Sequence, residues 1–131
     1  MTSEDHWLRK YVDRECCDVV TRGRRSGREH VVELWFGVIG ETLFLISGNG
    51  PSADWFANMV AHPEVEVRFD EDHRVGIARV VADSDERRQI GDLMGAKFDW
   101  DGDDDINLSR HAWCYDVPAM AIDRWVTRPA Q

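Results

Sequence analysis

This sequence is short of cysteine, short of positive charge, and has no long apolar run. Its only cysteines are Cys16, Cys17 and Cys114, two of them adjacent. An odd count with that spacing makes no disulfide framework, and adjacent cysteines suit a tetrahedral zinc site poorly. All three read as small buried hydrophobes. Sixteen Lys and Arg against 25 Asp and Glu leave a formal net charge of -9, which argues against general nucleic-acid or membrane-surface binding. No apolar stretch is long enough to span a bilayer, and none near the start resembles a leader. The expectation is a cytoplasmic protein without a membrane span. A P-loop, GxGxxG, HExxH and CxxC are also missing, so nucleotide hydrolysis and the common zinc chemistries have no support.

The 131 residues fit one domain, 1–131. Six tryptophans and five phenylalanines supply a core without staples. Trp7, Leu8, Tyr11 and Val12 form one face of an expected helix from Glu4 to Glu15. Cys17 to Thr21 and Val31 to Ile39 read as strands around a glycine turn, the hairpin signature. A second hairpin leads into Thr42–Ser47, apolar on both faces and so covered on both. Ser52 is expected to cap a short helix with Trp55, Phe56, Met59 and Val60 inward, stopped before Pro63. Glu64 to Asp70 alternates cleanly, and Arg74 to Ala82 pairs with it. Asp83 caps a helix with Ile90, Leu93, Met94 and Phe98 buried. Trp113 to Val126 reads as one or two strands broken at Pro118. Six short, mostly hairpin-linked strands with three helices make a mainly β (α+β) antiparallel small barrel.

Several constellations tempt. Asp99, Asp101 and Asp103 sit at calcium-loop spacing, but Asp104 and Arg110 stand where glycine and glutamate belong, so no metal site is expected. Ser109, His111 and Cys114 lack anything that would stabilise an oxyanion. The stretch "TRGRRSGREH" carries more weight. It places Arg22, Arg24, Arg25 and Arg28 around Gly23 and Gly27, a quarter of all basic residues on one turn. Backbone amides and guanidinium forks at such a turn suit a phosphate or carboxylate; the plainer reading is a solvated hairpin tip. "SGNGPSADW" is a second anion-friendly element, a glycine-rich loop running into a helix start. Together they suggest a phosphorylated ligand.

Five ordered motifs resemble the deazaflavin (F420)-dependent nitroreductase family of the flavin-binding split β-barrel superfamily. They are Gly23-Arg24-Arg25-Ser26-Gly27, "HVVELWF", "TLFLISGNG", the Asp54, Trp55, Asn58 helix, and the Ala61, Pro63, Val65, Val67 run. "AKF" and "VPAMAID" fit more loosely. The resemblance implies a six-stranded antiparallel split β-barrel with an N-terminal helix and two further helices. It implies hydride transfer from reduced coenzyme F420 to a quinone, nitro compound or similar acceptor, and a homodimer. Outward Trp35 and the two-sided Thr42–Ser47 strand are compatible with a partner subunit. By resemblance, Arg24, Arg25, Ser26 and Gly27 hold the anionic tail, with His30 standing where some members have arginine. Ser47, Gly48, Asn49 and Gly50 contact the phosphate or ring, and Trp55 and Asn58 shape the pocket. Ser47, His30 and Tyr115 are the candidate proton donors, with no other catalytic side chain required. The superfamily leaves two alternatives: an FMN-dependent oxidoreductase, or a carrier that binds a flavin or deazaflavin without turnover.

Overall fold

A computed structural model describes residues 6–126. The chain runs β1 (Cys16–Arg22), β2 (Glu29–Trp35), β3 (Gly37–Ile39), β4 (Thr42–Ile46), α1 (Asp54–Ala61), β5 (Glu64–Phe69), β6 (Asp72–Val80), α2 (Ser84–Lys97), β7 (Gly102–Asp103), β8 (Leu108–Ser109), α3 (Arg110–Tyr115) and β9 (Ala119–Val126). One sheet has the order β2-β1-β5-β6-β9-β4-β3, and β7 and β8 form a small ribbon. Every neighbouring pair in the large sheet is antiparallel. This is the expected mainly β, α+β architecture.

The two ends of that order are halves of one strand. β2 and β3 are separated by Phe36 alone, so the expected strand Val31–Ile39 is split there and the chain itself carries the sheet round. The break has a cause. The Phe36 amide donates to the Glu15 carbonyl at 3.3 Å, and its carbonyl accepts from Lys97 Nζ at 2.8 Å. Neither group goes to a strand partner. The fully buried ring fixes the corner, with the Lys97 ammonium 3.9 Å from its centroid. Gly37 lets α2 close in, because a Cβ there would lie 2.8 Å from Leu93 Cδ2 and Met94 Sδ.

Two cores follow. Leu43, Leu45, Met120 and Ile122 join Val19, Phe36, Val65, Val67 and Phe69 on one side of the sheet. Phe44, Ile46, Ala119 and Ala121 join Ile90, Met94, Phe98 and Trp113 under α2 and α3 on the other. The two-sided burial of Thr42–Ser47 is thus met within the chain. Trp35 likewise stacks on Phe98, with centroids 4.4 Å apart. Neither feature needs a second subunit. The α2–α3 pair is tied by reciprocal arginines. Arg87 donates to the carbonyls of Trp113, Cys114 and Val117 at the end of α3. Arg110 donates to those of Gly95, Phe98 and Trp100 at the end of α2. Each arginine satisfies carbonyls that a helix end leaves free.

Four expectations need correction. The first helix is only a 3-10 turn over Trp7–Tyr11, because the chain must be extended by Cys16 to enter β1; Glu4 lies outside the described residues. Ser52 does not cap α1. Gly50–Ser52 is itself a 3-10 turn, the N-cap is Ala53, and no side chain bonds there. Val60 is 58% exposed rather than inward. Residues Trp113–Tyr115 are helical rather than extended: Ser109 Oγ caps α3 by accepting from the Ala112 amide at 3.0 Å, and Arg87 closes its far end. The Asp83 cap is as expected, accepting from the Glu86 amide at 2.8 Å.

Candidate functional site

The arginine turn joins β1 to β2 and is built by its own backbone. The Gly23 amide donates to the Arg28 carbonyl at 2.7 Å, and the Gly27 amide to the Gly23 carbonyl at 2.9 Å. Gly27 takes φ 72°, a conformation that favours glycine. Arg22 Nη1 donates to the Gly27 carbonyl at 3.0 Å, and Ser26 Oγ accepts from the Arg28 amide at 3.1 Å.

The turn is docked on α1 through one buried side chain. Asn58, 4% exposed, accepts at Oδ1 from the Arg24 amide (3.1 Å) and from Arg24 Nη1 (2.9 Å). Its Nδ2 donates to Thr21 Oγ1 at 3.3 Å. Arg24 Nη2 also meets Asp54 Oδ1 at 3.2 Å. Arg24 is therefore a latch between turn and helix. Arg25 has no ion-pair partner among the described residues, although it lines the same space.

That space is a cleft of about 430 Å³, lined by Thr21, Gly23, Arg24, Arg25, Ser26, His30, Val32, Asn49, Ala53, Asp54, Trp55 and Asn58. Gly23 has no side chain for a reason. A Cβ there would lie 2.7 Å from Ser26 Oγ and 2.8 Å from His30 Nε2, so these two polar atoms converge over its Cα. The start of α1, free of a side-chain cap, adds backbone donors and the positive end of its dipole. Val32, Ala53 and half-buried Trp55 supply an apolar wall. A free guanidinium, converging polar atoms and a flat aromatic wall fit a ligand with an anionic group and a planar ring.

The cleft gathers Arg24, Arg25, Ser26, His30, Asn49, Trp55 and Asn58 from the expected set. The others lie elsewhere. Gly27 shapes the tip of the turn. Ser47 is 1% exposed, with its hydroxyl given to the Gly50 carbonyl at 2.6 Å. Gly48 packs beneath Leu108, and Gly50 supplies a positive φ of 78° for the turn. Tyr115 belongs to a separate hollow with Asp92, Arg110 and His111. It donates to Asp92 Oδ1 at 2.6 Å, a bond that holds its phenol pKa above the usual value. Sequence reasoning missed Thr21, Gly23, Val32, Ala53 and Asp54. The alternation through Val19 pointed Thr21 inward, and Asp54 stood inside a motif already singled out.

The fold is mainly β, and the family match that accompanies it makes the chain an F420-dependent oxidoreductase. The chain belongs to the F420H(2)-dependent quinone reductase family, whose match covers residues 15–99, and its cofactor is coenzyme F420. An F420-H2 dependent reductase, FDR-A, shares the fold at 19% identity and a TM-score of 0.64, over 84% of this chain and 95% of that one. A second F420 reductase matches at 18% identity and 0.60, over 90% and 92%. HutZ, the heme storage protein of Vibrio cholerae, matches at 16% and 0.64, over 94% and 90%. No curated protein sequence matches significantly. Among the described residues, no helix is long and apolar enough to cross a membrane.

Proposed function

We propose that this chain transfers a hydride from reduced coenzyme F420 to a small quinone-type acceptor, with the cleft between the arginine turn and α1 as its site. The observation that carries the reading is the Arg25 guanidinium, without an ion-pair partner among the described residues, lining the same cleft as the converging Ser26 Oγ and His30 Nε2. When bound, the coenzyme supplies the hydride from its own ring carbon, so the protein needs orientation and water exclusion rather than a nucleophile.

In this reading Arg25 holds the phosphodiester with help from Ser26, His30 and the first amides of α1. Arg24 and Asn58 position the turn. Val32, Ala53 and Trp55 cover one face of the ring and keep water off it. Of the three candidate proton donors, His30 is the one that lines the cleft, where this reading places it at the phosphodiester and so away from the reduced acceptor. A solved structure similar to this chain at 19% identity and a TM-score of 0.62 is a domain-swapped dimer, and a homodimer belongs to the same reading.

The test is a titration with coenzyme F420 followed by tryptophan quenching, then oxidation of the bound reduced coenzyme by menadione. Micromolar binding with turnover is expected. Absence of binding would refute the reading, and binding without turnover of any acceptor would replace it with a carrier role.

A further inference from the structure

We propose that Asp54 is a specificity-determining residue: it makes the cleft select an anion with one negative charge at phosphorus, a phosphodiester, over the dianion of a phosphomonoester. The inference rests on the assignment of this cleft to an F420-type coenzyme.

The charge count at the site carries it. Arg24, Arg25 and Asp54 are the Lys, Arg, Asp and Glu side chains that line the cleft; two cations less one anion leave a formal +1. The ion pairs decide which cation is free. Arg24 Nη2 lies 3.2 Å from Asp54 Oδ1, and Arg24 Nη1 lies 2.9 Å from Asn58 Oδ1. Both terminal nitrogens of Arg24 are engaged before any ligand arrives. Arg25 remains.

A phosphodiester carries a single charge near neutral pH and is matched by that one cation. A phosphomonoester carries about -1.5 to -2 at pH 7. Its second charge finds Arg24 already neutralised and stands beside the Asp54 carboxylate. FMN ends in a monoester and coenzyme F420 contains a diester, so one rim carboxylate separates two coenzymes with similar rings. The Asp54 side chain is 87% exposed, so solvent screens the effect. The discrimination it adds is therefore modest, about three- to fivefold.

The test compares wild type with Asp54→Asn, which keeps shape and removes charge, and Asp54→Glu, which restores charge. Coenzyme F420 affinity is read by tryptophan quenching, and FMN affinity by competition against bound coenzyme F420. Riboflavin is the uncharged control. At about 0.15 M salt, tail carboxylates more than about 8 Å away are screened. Asp54→Asn is expected to lower the ratio of FMN to F420 dissociation constants about three- to fivefold and to leave riboflavin unchanged. Asp54→Glu is expected to keep the wild-type ratio. If wild type binds F420 but the ratio does not fall in Asp54→Asn, the proposal is overturned and the site assignment stands. An equal shift for FMN, F420 and riboflavin also overturns it, because that marks a packing change. If wild type binds no F420, the assignment falls and this proposal with it.

Discussion

Asn58→Ala separates the two arginines of the turn. The substitution removes two bonds from Arg24 and one to Thr21, all made by a side chain that is 4% exposed. The two neutral bonds contribute about 1 kcal/mol each. The charge-assisted bond contributes about 1.5 kcal/mol, the low end of its range, because the Arg24 side chain keeps 29% of its surface. Water entering the gap returns part of this, so the expected loss is about 2–3 kcal/mol. For a chain of this length that is a fall in Tm of roughly 7–11 °C. Coenzyme F420 affinity is expected to fall as well, because a turn no longer held against α1 must be ordered on binding. Arg25→Ala is the counterpart. It is expected to move stability by no more than about 0.5 kcal/mol and to weaken F420 binding about tenfold or more. Calorimetry and fluorescence titration on both variants decide the matter. A loss below 0.5 kcal/mol in Asn58→Ala, or equal stability losses in the two variants, would refute the latch.

Three further outcomes are expected. Gly23→Ala places a methyl 2.7 Å from Ser26 Oγ and 2.8 Å from His30 Nε2; both are side-chain ends that can swing away, so urea unfolding should change little while F420 affinity drops. Gly91→Ala sets a Cβ 2.4 Å from the Cys114 carbonyl, which is backbone and cannot swing. A loss of about 2–3 kcal/mol is expected in the same assay, and an unchanged midpoint would mean that α2 and α3 separate freely. The hydrogen bond from Arg79, with its charge, holds the Glu86 carboxyl below its ordinary 4.5. A lowered carboxyl gives stability that is fully present above the ordinary value and is lost as pH falls through the folded-state value. Acid unfolding curves of wild type and Glu86→Gln should therefore converge below pH 4.5, and parallel curves would argue against the pair.

How far the sequence reached depends on the range of the interaction. The hairpins were legible because Gly23–Gly27 and Gly40 sit on either side of the alternating run Val31–Ile39, with short apolar runs beyond them, and such patterns are local signals. The Asp83 cap was legible for the same reason. The break at Phe36 was not, because its cause lies in Glu15 and Lys97, far along the chain on either side. Helix α3 was misread because Trp113, Cys114 and Tyr115 have strand character, while the groups that hold the helix, Ser109 and above all Arg87, act from outside the window. The second face of Thr42–Ser47 was correctly expected to be covered, but its cover is α2 and α3 of the same chain.

The site shows the same divide more sharply. Sequence marks where cations cluster; it does not mark which of them are already paired. Arg24 and Arg25 are adjacent and chemically identical, and both were read as anion contacts. One faces Asn58 and Asp54 and is consumed in building the cleft, while the other has no carboxylate partner in it. The four arginines of the turn thus divide, with Arg22 bracing the loop at the Gly27 carbonyl and Arg24 tying it to α1. The cleft's affinity for an anion then depends on the cation left over, and a net charge of -9 for the whole chain is no obstacle to that, since screening confines each field to within about 8 Å at physiological salt.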